Sequence, residues 1–159
     1  MRAAFDRGLR GYLIRTSWLF GEDGGNFVET MLRLMLARRE VRVVADQWGR
    51  PTYARDLADA AWRLVTRSAP PGLYHFANAG PVTWHGFATG ILELAREAEL
   101  PVTVTAVTPS FAKELPRPAP RPAYSVLSTE RYARVVGAGP RSWVPPLREY
   151  LASVRSELG

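Results

Sequence analysis

The chain has 159 residues, 47% hydrophobic and 23% charged, which suits one folded domain with its own core and is not the composition of a disordered chain. It has no cysteine, which removes disulfides, thiolate zinc sites and cysteine nucleophiles. Its formal charge of +6 comes from arginines scattered among acids, as in ARREVRVVAD, and no apolar run approaches the roughly 20 residues of a bilayer span. No nucleic-acid partner and no membrane are therefore expected. The amino terminus lacks the apolar segment of a secretory signal, so a cytoplasmic location is expected. Because guanidinium grips phosphate in bidentate fashion, the arginines suit an anionic ligand.

In chain order, residues 1–8 read as the last turns of a helix. An apolar strand from Gly11 to Thr16 follows, then a loop through Gly24 and Gly25. Asn26 is a good N-cap for NFVETMLRLMLARR, in which Phe27, Met31, Leu34 and Met35 recur on one face. Arg38 and Arg39 fall in its expected last turn, where cations are favourable. VRVVAD is a short β-branched strand, and Gln47 to Thr52 a turn punctuated by Gly49 and Pro51.

A helix opening at Tyr53 or Ala54 turns Leu57, Ala60, Ala61 and Leu64 inward, and Pro70-Pro71-Gly72 ends it. Leu73–Ala77 reads as a buried strand. Thr83 caps a second long helix, and VTVTAV alternates as a strand does. From Thr108 to Pro122 the sequence reads as loop, because PSFAKELPRPAPRP is broken by proline throughout. A short helix near Thr129–Val136 and a last one from Pro145 or Pro146 close the chain. Strands alternating with helices predict an α/β fold with a largely parallel sheet.

Generic chemistry is sparse. There is no Walker loop, and the glycines of GEDGGN lie among acids, a poor phosphate cradle. His75 and His85 lack metal-ligand spacing and read as satisfied, partly buried histidines. Asp56 and Asp59 suit the start of a helix without any catalytic role. Ser17 and Ser125 have no neighbouring base to activate them.

Five segments in order, RTSWLFG, GNFVETML, VVADQWGRPTYARDLA, GLYHFANAGPVTWHGFA and RPAYSVLSTERY, resemble the dTDP-4-dehydrorhamnose reductase family. That family belongs to the extended short-chain dehydrogenase/reductases that act on nucleotide sugars. Any one segment is weak; five in register across nearly the whole chain are specific.

The resemblance implies NAD(P)H-dependent reduction of the C4 ketone of dTDP-4-dehydro-L-rhamnose, a step toward cell-surface polysaccharide. Family members are about twice this length, and their first half carries the glycine-rich NAD(P) turn and a Tyr-x-x-x-Lys pair. None of Tyr12, Tyr53, Tyr74, Tyr124, Tyr132 and Tyr150 has a lysine four residues on. The chain therefore resembles the carboxyl-terminal half of a Rossmann-like enzyme. Residues 1–24 would end the dinucleotide-binding domain, and residues 25–159 would form the substrate-binding region, with elements returning to the Rossmann sheet. The NAD(P)-binding half would be absent, and this chain alone inactive.

By the same resemblance, Trp18 contacts the sugar nucleotide, the alternative being a core residue at a strand end. Thr16 and Ser17 lie beside the nicotinamide of NADPH or NADH. Gln47 and Thr52, in the D-Q-x-G-x-P-T turn with Pro51, shape the substrate cleft or simply form the turn. Arg121 clamps the diphosphate or fixes its own loop. Trp84 and His85 read as packing, and Tyr124 and Ser125 as supports of the RPAYSVL segment. Ser128 stands where the family often has Asp or Asn, so a weaker cap is expected there. No catalytic residue and no metal ligand are assigned. The expected partners are the nucleotide sugar and either a second copy or the missing half. The alternative function is a non-catalytic binding module, as in the regulatory subunit of methionine adenosyltransferase.

Overall fold

Two parallel strands made of the first apolar run and the residues after Pro71 organise one side of the molecule. In the computed structural model, which describes residues 11–114, 119 and 121–158, with side chains through residue 155, these are β1 (Tyr12–Arg15) and β6 (Gly72–His75). They pair in register from Tyr12–Gly72 to Arg15–His75. The helix tail expected over residues 1–8 lies outside the described residues.

Alternation sends Tyr12, Ile14 and Tyr74 toward one face. There they meet α2 (Ala54–Thr66) and α4 (Glu130–Val136) around Ala60, Leu64, Phe76, Tyr132 and Val136. Ala60 and Leu64 of α2 are buried as expected, whereas Leu57 and Ala61 are half-buried. Gly137 ends α4 at φ +80°, a left-handed position that glycine takes without Cβ strain. Ahead of α4, Thr129 makes no side-chain cap, and Ser128 Oγ accepts from Glu130 N only at 3.5 Å.

A second, larger core fills the space between α1 (Phe27–Ala37), α3 (Trp84–Glu97), α5 (Val144–Leu158) and β3 (Glu40–Val44). Both caps read from the sequence form: Asn26 Oδ1 accepts from Glu29 N at 3.1 Å, and Thr83 Oγ1 accepts from Gly86 N at 3.0 Å. The buried face of α1 is Val28, Met31, Leu32 and Met35, with Phe27 and Leu34 only partly covered. Arg38 caps α1 rather than lying in its last turn, and Arg39 falls beyond it.

The largest departure from expectation is at VTVTAV. The strand there, β8 (Ala106–Ser110), starts later and runs into the expected loop, pairing in parallel with β3. Pro109 is tolerated because β8 is an edge of a two-stranded sheet, where one N–H can be missing. Residues 102–105 alternate for another reason. Val104 is buried, and Thr103 and Thr105 turn outward to cap the end of α1. Thr103 N and Val104 N donate to Met35 O at 2.9 and 3.1 Å, and Thr105 N donates to Arg39 O at 2.8 Å. The segment satisfies the orphan helix carbonyl of Met35 and the Arg39 carbonyl just beyond α1 instead of extending a ladder.

The remaining pairs are short. Parallel β2 (Leu19–Phe20) and β5 (Thr52–Tyr53) join the two cores, and antiparallel β4 (Trp48–Gly49) and β7 (Val82–Thr83) lie beside them. The turn expected over 47–52 thus holds two short strands. Among the described residues three of the four strand pairs are parallel, so the α/β class is as expected, but the strands form four separate two-stranded sheets and not one continuous sheet. No helix among the described residues is long and apolar enough to cross a membrane.

Candidate functional site

The residues that follow β1 and those of the 47–52 turn meet where the two cores join. Thr16 Oγ1 donates to Thr52 Oγ1 at 3.0 Å, and Thr52 Oγ1 donates to Ser17 O at 2.7 Å. Ser17 Oγ donates to Arg50 O at 2.8 Å, and Thr52 N donates to Trp18 O at 3.1 Å. Thr52 is fully buried. Four of the six residues expected at the site, Thr16, Ser17, Trp18 and Thr52, therefore form one hydrogen-bonded unit.

Trp18 adopts φ +47°, a conformation that costs a non-glycine residue on the order of 1–3 kcal/mol. Its half-buried indole stacks on Trp84, with ring centroids 3.5 Å apart and planes 15° from parallel. Phe27 packs on Trp84 at 4.5 Å. On the turn side, a methyl group at Gly49 would sit 2.4 Å from Trp18 Cε2 and 2.8 Å from Nε1. Only glycine leaves room for the ring in this position. Trp84 packs as the sequence suggested, and His85 turns its Nε2 to Val107 O at 3.1 Å.

Gln47 is half-buried beside this unit, and its carbonyl accepts from Trp84 N at 3.3 Å. Arg121 is exposed, on a segment drawn to the turn two residues later. There Trp48 N donates to Ala123 O at 2.8 Å, and Ser125 N and Oγ both donate to Trp48 O at 2.9 Å. Ser125 thus supports the segment, while Tyr124 projects into solvent with Trp48 beside it on the same ladder.

Sequence reasoning passed over three residues here. Gly49 was read only as punctuation. Arg50 bridges the turn to the segment before α4, its Nη1 donating to Leu127 O at 3.0 Å and to Thr129 Oγ1 at 3.4 Å, while its Nε is buried without a partner. Burial lowers its pKa from the usual guanidinium value.

Asn78, fully buried, is the third. Its Oδ1 accepts from Tyr53 N at 2.9 Å, and its Nδ2 donates to Asp56 Oδ2 at 2.6 Å and to Arg141 O at 3.3 Å. A polar residue closing the apolar run LYHFA was the available signal.

Asp56 in turn holds Arg141 in a two-pronged ion pair, with contacts of 2.7 and 2.9 Å, and Arg141 reaches Glu149 at 2.6 Å. These bonds raise the Arg141 pKa and lower that of Glu149. Asp56 is therefore more than a dipole partner. Tyr53, buried and donating to Glu22 at 3.1 Å, has its phenol pushed up to about 12, first by burial and then by that carboxylate.

His75 Nε2 is buried without a hydrogen-bond partner, and among the described residues no group of three or more His, Asp or Glu could hold a metal ion. A cavity of about 400 Å³ lies elsewhere, between α1 and α5, lined by Leu32, Leu36, Leu100 and Tyr150. It touches none of the expected site residues.

Ligands of open α/β sheets bind beyond the carboxyl ends of the strands, which is where Thr16, Ser17 and Trp18 follow β1. Among solved structures, a dTDP-4-dehydrorhamnose reductase from Clostridium acetobutylicum superposes at TM-score 0.80 with 36% identity, over 91% of this chain and 49% of its own. One from Bacillus anthracis, solved in complex with NADP, superposes at 0.79 with 37% identity, over 89% of this chain and 48% of its own. A UDP-N-acetylglucosamine 4-epimerase from Bacillus cereus, only 11% identical, shares the fold at 0.70.

The chain belongs to the family described as the RmlD substrate binding domain, whose model matches residues 2–156. The spore coat polysaccharide biosynthesis protein SpsK of Bacillus subtilis is 49% identical over 139 residues, 87% of this chain and 46% of that protein. A dTDP-4-dehydrorhamnose reductase of Burkholderia thailandensis is 42% identical over 81% of this chain and 47% of its own length. The chain spans about half the length of these relatives.

Proposed function

We propose that this chain is the substrate side of a dTDP-4-dehydrorhamnose reductase, acting in reduction of the C4 ketone of dTDP-4-dehydro-L-rhamnose to dTDP-L-rhamnose. The observation that carries this reading is the bonded unit of Thr16, Ser17, Trp18 and Thr52, formed from two segments that the sequence holds 33 to 36 residues apart. Residues 1–24 close a dinucleotide-binding domain in this reading, and residues 25–159 form the substrate region.

Trp18 offers apolar surface to the C–H patches of the deoxyhexose, and Trp84 behind it keeps the ring from turning away. Gln47, beside the tryptophan pair, contributes amide hydrogen bonds to the sugar. Thr52 acts from beneath, ordering the two residues before Trp18. Arg121, exposed after the proline-rich stretch, supplies a guanidinium for the diphosphate.

The fit to a nicotinamide cofactor is to its outer end. Thr16 and Ser17 follow the carboxyl end of β1, where ligands of open parallel sheets bind. Their hydroxyls already have partners within the chain, so backbone groups make that contact. NADPH or NADH, when bound, supplies the hydride. The proton for the developing alkoxide requires an acid at the ketone oxygen, and no tyrosine of this chain stands in a Tyr-x-x-x-Lys pair. The chain alone is therefore inactive in this reading.

Titration with dTDP-L-rhamnose, followed through the tryptophan indole N–H signals, tests the assignment. Saturable shifts of the Trp18 signal, with loss of binding in Trp18→Ala, are expected. Saturable binding that leaves Trp18 unmoved would refute its place in the site. No binding, together with capture of a protein partner, would favour the non-catalytic module.

A further inference from the structure

The hydroxyl groups of Thr16, Ser17 and Thr52 are all engaged within the chain, and Thr52 reaches the backbone on both sides of Trp18. Thr52 Oγ1 holds Ser17 O at 2.7 Å, Thr52 N holds Trp18 O at 3.1 Å, and Ser17 Oγ returns to the turn at Arg50 O, 2.8 Å away. The peptide on either side of Trp18 is thus clamped. A left-handed bulky residue persists only where its surroundings over-determine it, and here the clamp supplies the determination. The ring is fixed separately, by Trp84 at 3.5 Å and by Gly49, where a β-carbon would fall 2.4 Å from the indole.

We propose that Gly49 and Thr52 are positioning residues that lock Trp18 in its left-handed conformation, so that the 15–18 and 47–52 segments work as one preset sugar platform. Thr52 fixes the backbone, and Gly49 leaves the space into which the indole settles. The assignment of the platform to a sugar rests on the function proposed above; the lock itself does not. A preset platform spares a ligand the ordering of a large side chain on binding.

The stacked indoles give the lock its own signature. Two indoles held face to face couple their transitions, and where the transition dipoles are skewed within the stack they produce an exciton couplet in the far-ultraviolet circular dichroism of the unliganded chain. Trp84→Phe removes one partner and so identifies the couplet. Gly49→Ala and Thr52→Val are expected to lose it while keeping a cooperative thermal transition, and Thr52→Ser, which retains the hydroxyl, is expected to restore it. A merely structural threonine would lower the melting temperature without abolishing the couplet in a folded protein.

Should Gly49→Ala fail to fold, the Thr52→Val and Thr52→Ser pair decides the matter. A couplet that survives in folded Thr52→Val overturns the proposal, as does an unaltered chain whose Trp18 ring protons lack the upfield shift of a ring stacked on Trp84. Titration with dTDP-L-rhamnose separates the two readings. Loss of the couplet with unchanged affinity supports the lock and overturns Trp18 as the sugar contact, whereas loss of both supports both.

Discussion

Replacing Asn78 by leucine keeps the number and branching of side-chain heavy atoms in a fully buried position but removes all three side-chain hydrogen bonds. The Tyr53 amide, bonded at 2.9 Å, is left buried without an acceptor, at a cost of about 1–3 kcal/mol. The bond from Nδ2 to the Asp56 carboxylate, 2.6 Å long, is charge-assisted, and such bonds contribute about 1.5–3 kcal/mol. The longer bond to Arg141 O adds little.

Because Arg141 still holds Asp56, the second figure belongs at its lower end, and the whole comes to about 2.5–4.5 kcal/mol. That is a large part of the ~5–15 kcal/mol that keeps a domain folded. Urea unfolding followed by circular dichroism measures it, provided the m-value is unchanged. Asn78→Asp gives a second reading, since it keeps the acceptor for Tyr53 but sets a carboxylate against Asp56, so its loss should shrink as the pH falls. A loss below about 1 kcal/mol in Asn78→Leu would refute the view that this amide joins the turn, α2 and the 138–143 loop.

Other outcomes follow from the same geometry. Tyr53 has a folded-state pKa of about 12 against an ordinary value near 10, so its contribution is complete below about pH 10 and is lost as pH rises through 12. Tyr53→Phe should flatten that alkaline limb in urea midpoints taken at stepped pH. Glu149 is lowered by its hydrogen bond to Arg141, so its contribution is present above the ordinary glutamate range and disappears as pH falls below it. Glu149→Gln should remove that part of the acid limb. Thr103→Val deletes the hydroxyl that donates to Leu36 O at 3.0 Å and to Met35 O at 3.2 Å, and should cost about 1 kcal/mol by thermal melting. Among the described residues β1 pairs with β6 alone, and such an open edge invites pairing. Sedimentation should therefore show concentration-dependent self-association, and a strict monomer at high concentration would contradict it.

Local signals carried most of the fold. Asn26 and Thr83 were legible as caps because a short polar side chain immediately before a periodic apolar run has one favoured use. The alternation of VTVTAV was real, but its cause was not legible. Threonines at every second position serve a strand or the carbonyls of a neighbouring helix equally well, and only the approach of Met35 and Arg39 decides.

The site divides in the same way. Trp18, Thr16, Ser17 and Thr52 could be picked out as residues, yet which hydroxyl answers which carbonyl depends on two strands meeting across the junction of the cores. Gly49 looked like a turn glycine because the indole that fills its missing side chain lies 31 residues earlier in the sequence. Asn78, Asp56 and Arg141 come from three separate segments, so none of them suggests the others before the chain is folded.

The central claim is that this chain supplies the substrate side of a nucleotide-sugar reductase. Its most direct test joins the chain to the amino-terminal half of the Clostridium acetobutylicum reductase it resembles and follows NADPH oxidation with dTDP-4-dehydro-L-rhamnose. The account predicts turnover that Trp18→Ala suppresses while NADPH binding stays intact. A folded, NADPH-binding chimera that leaves the ketone unreduced, or that reduces it equally well without Trp18, would contradict it.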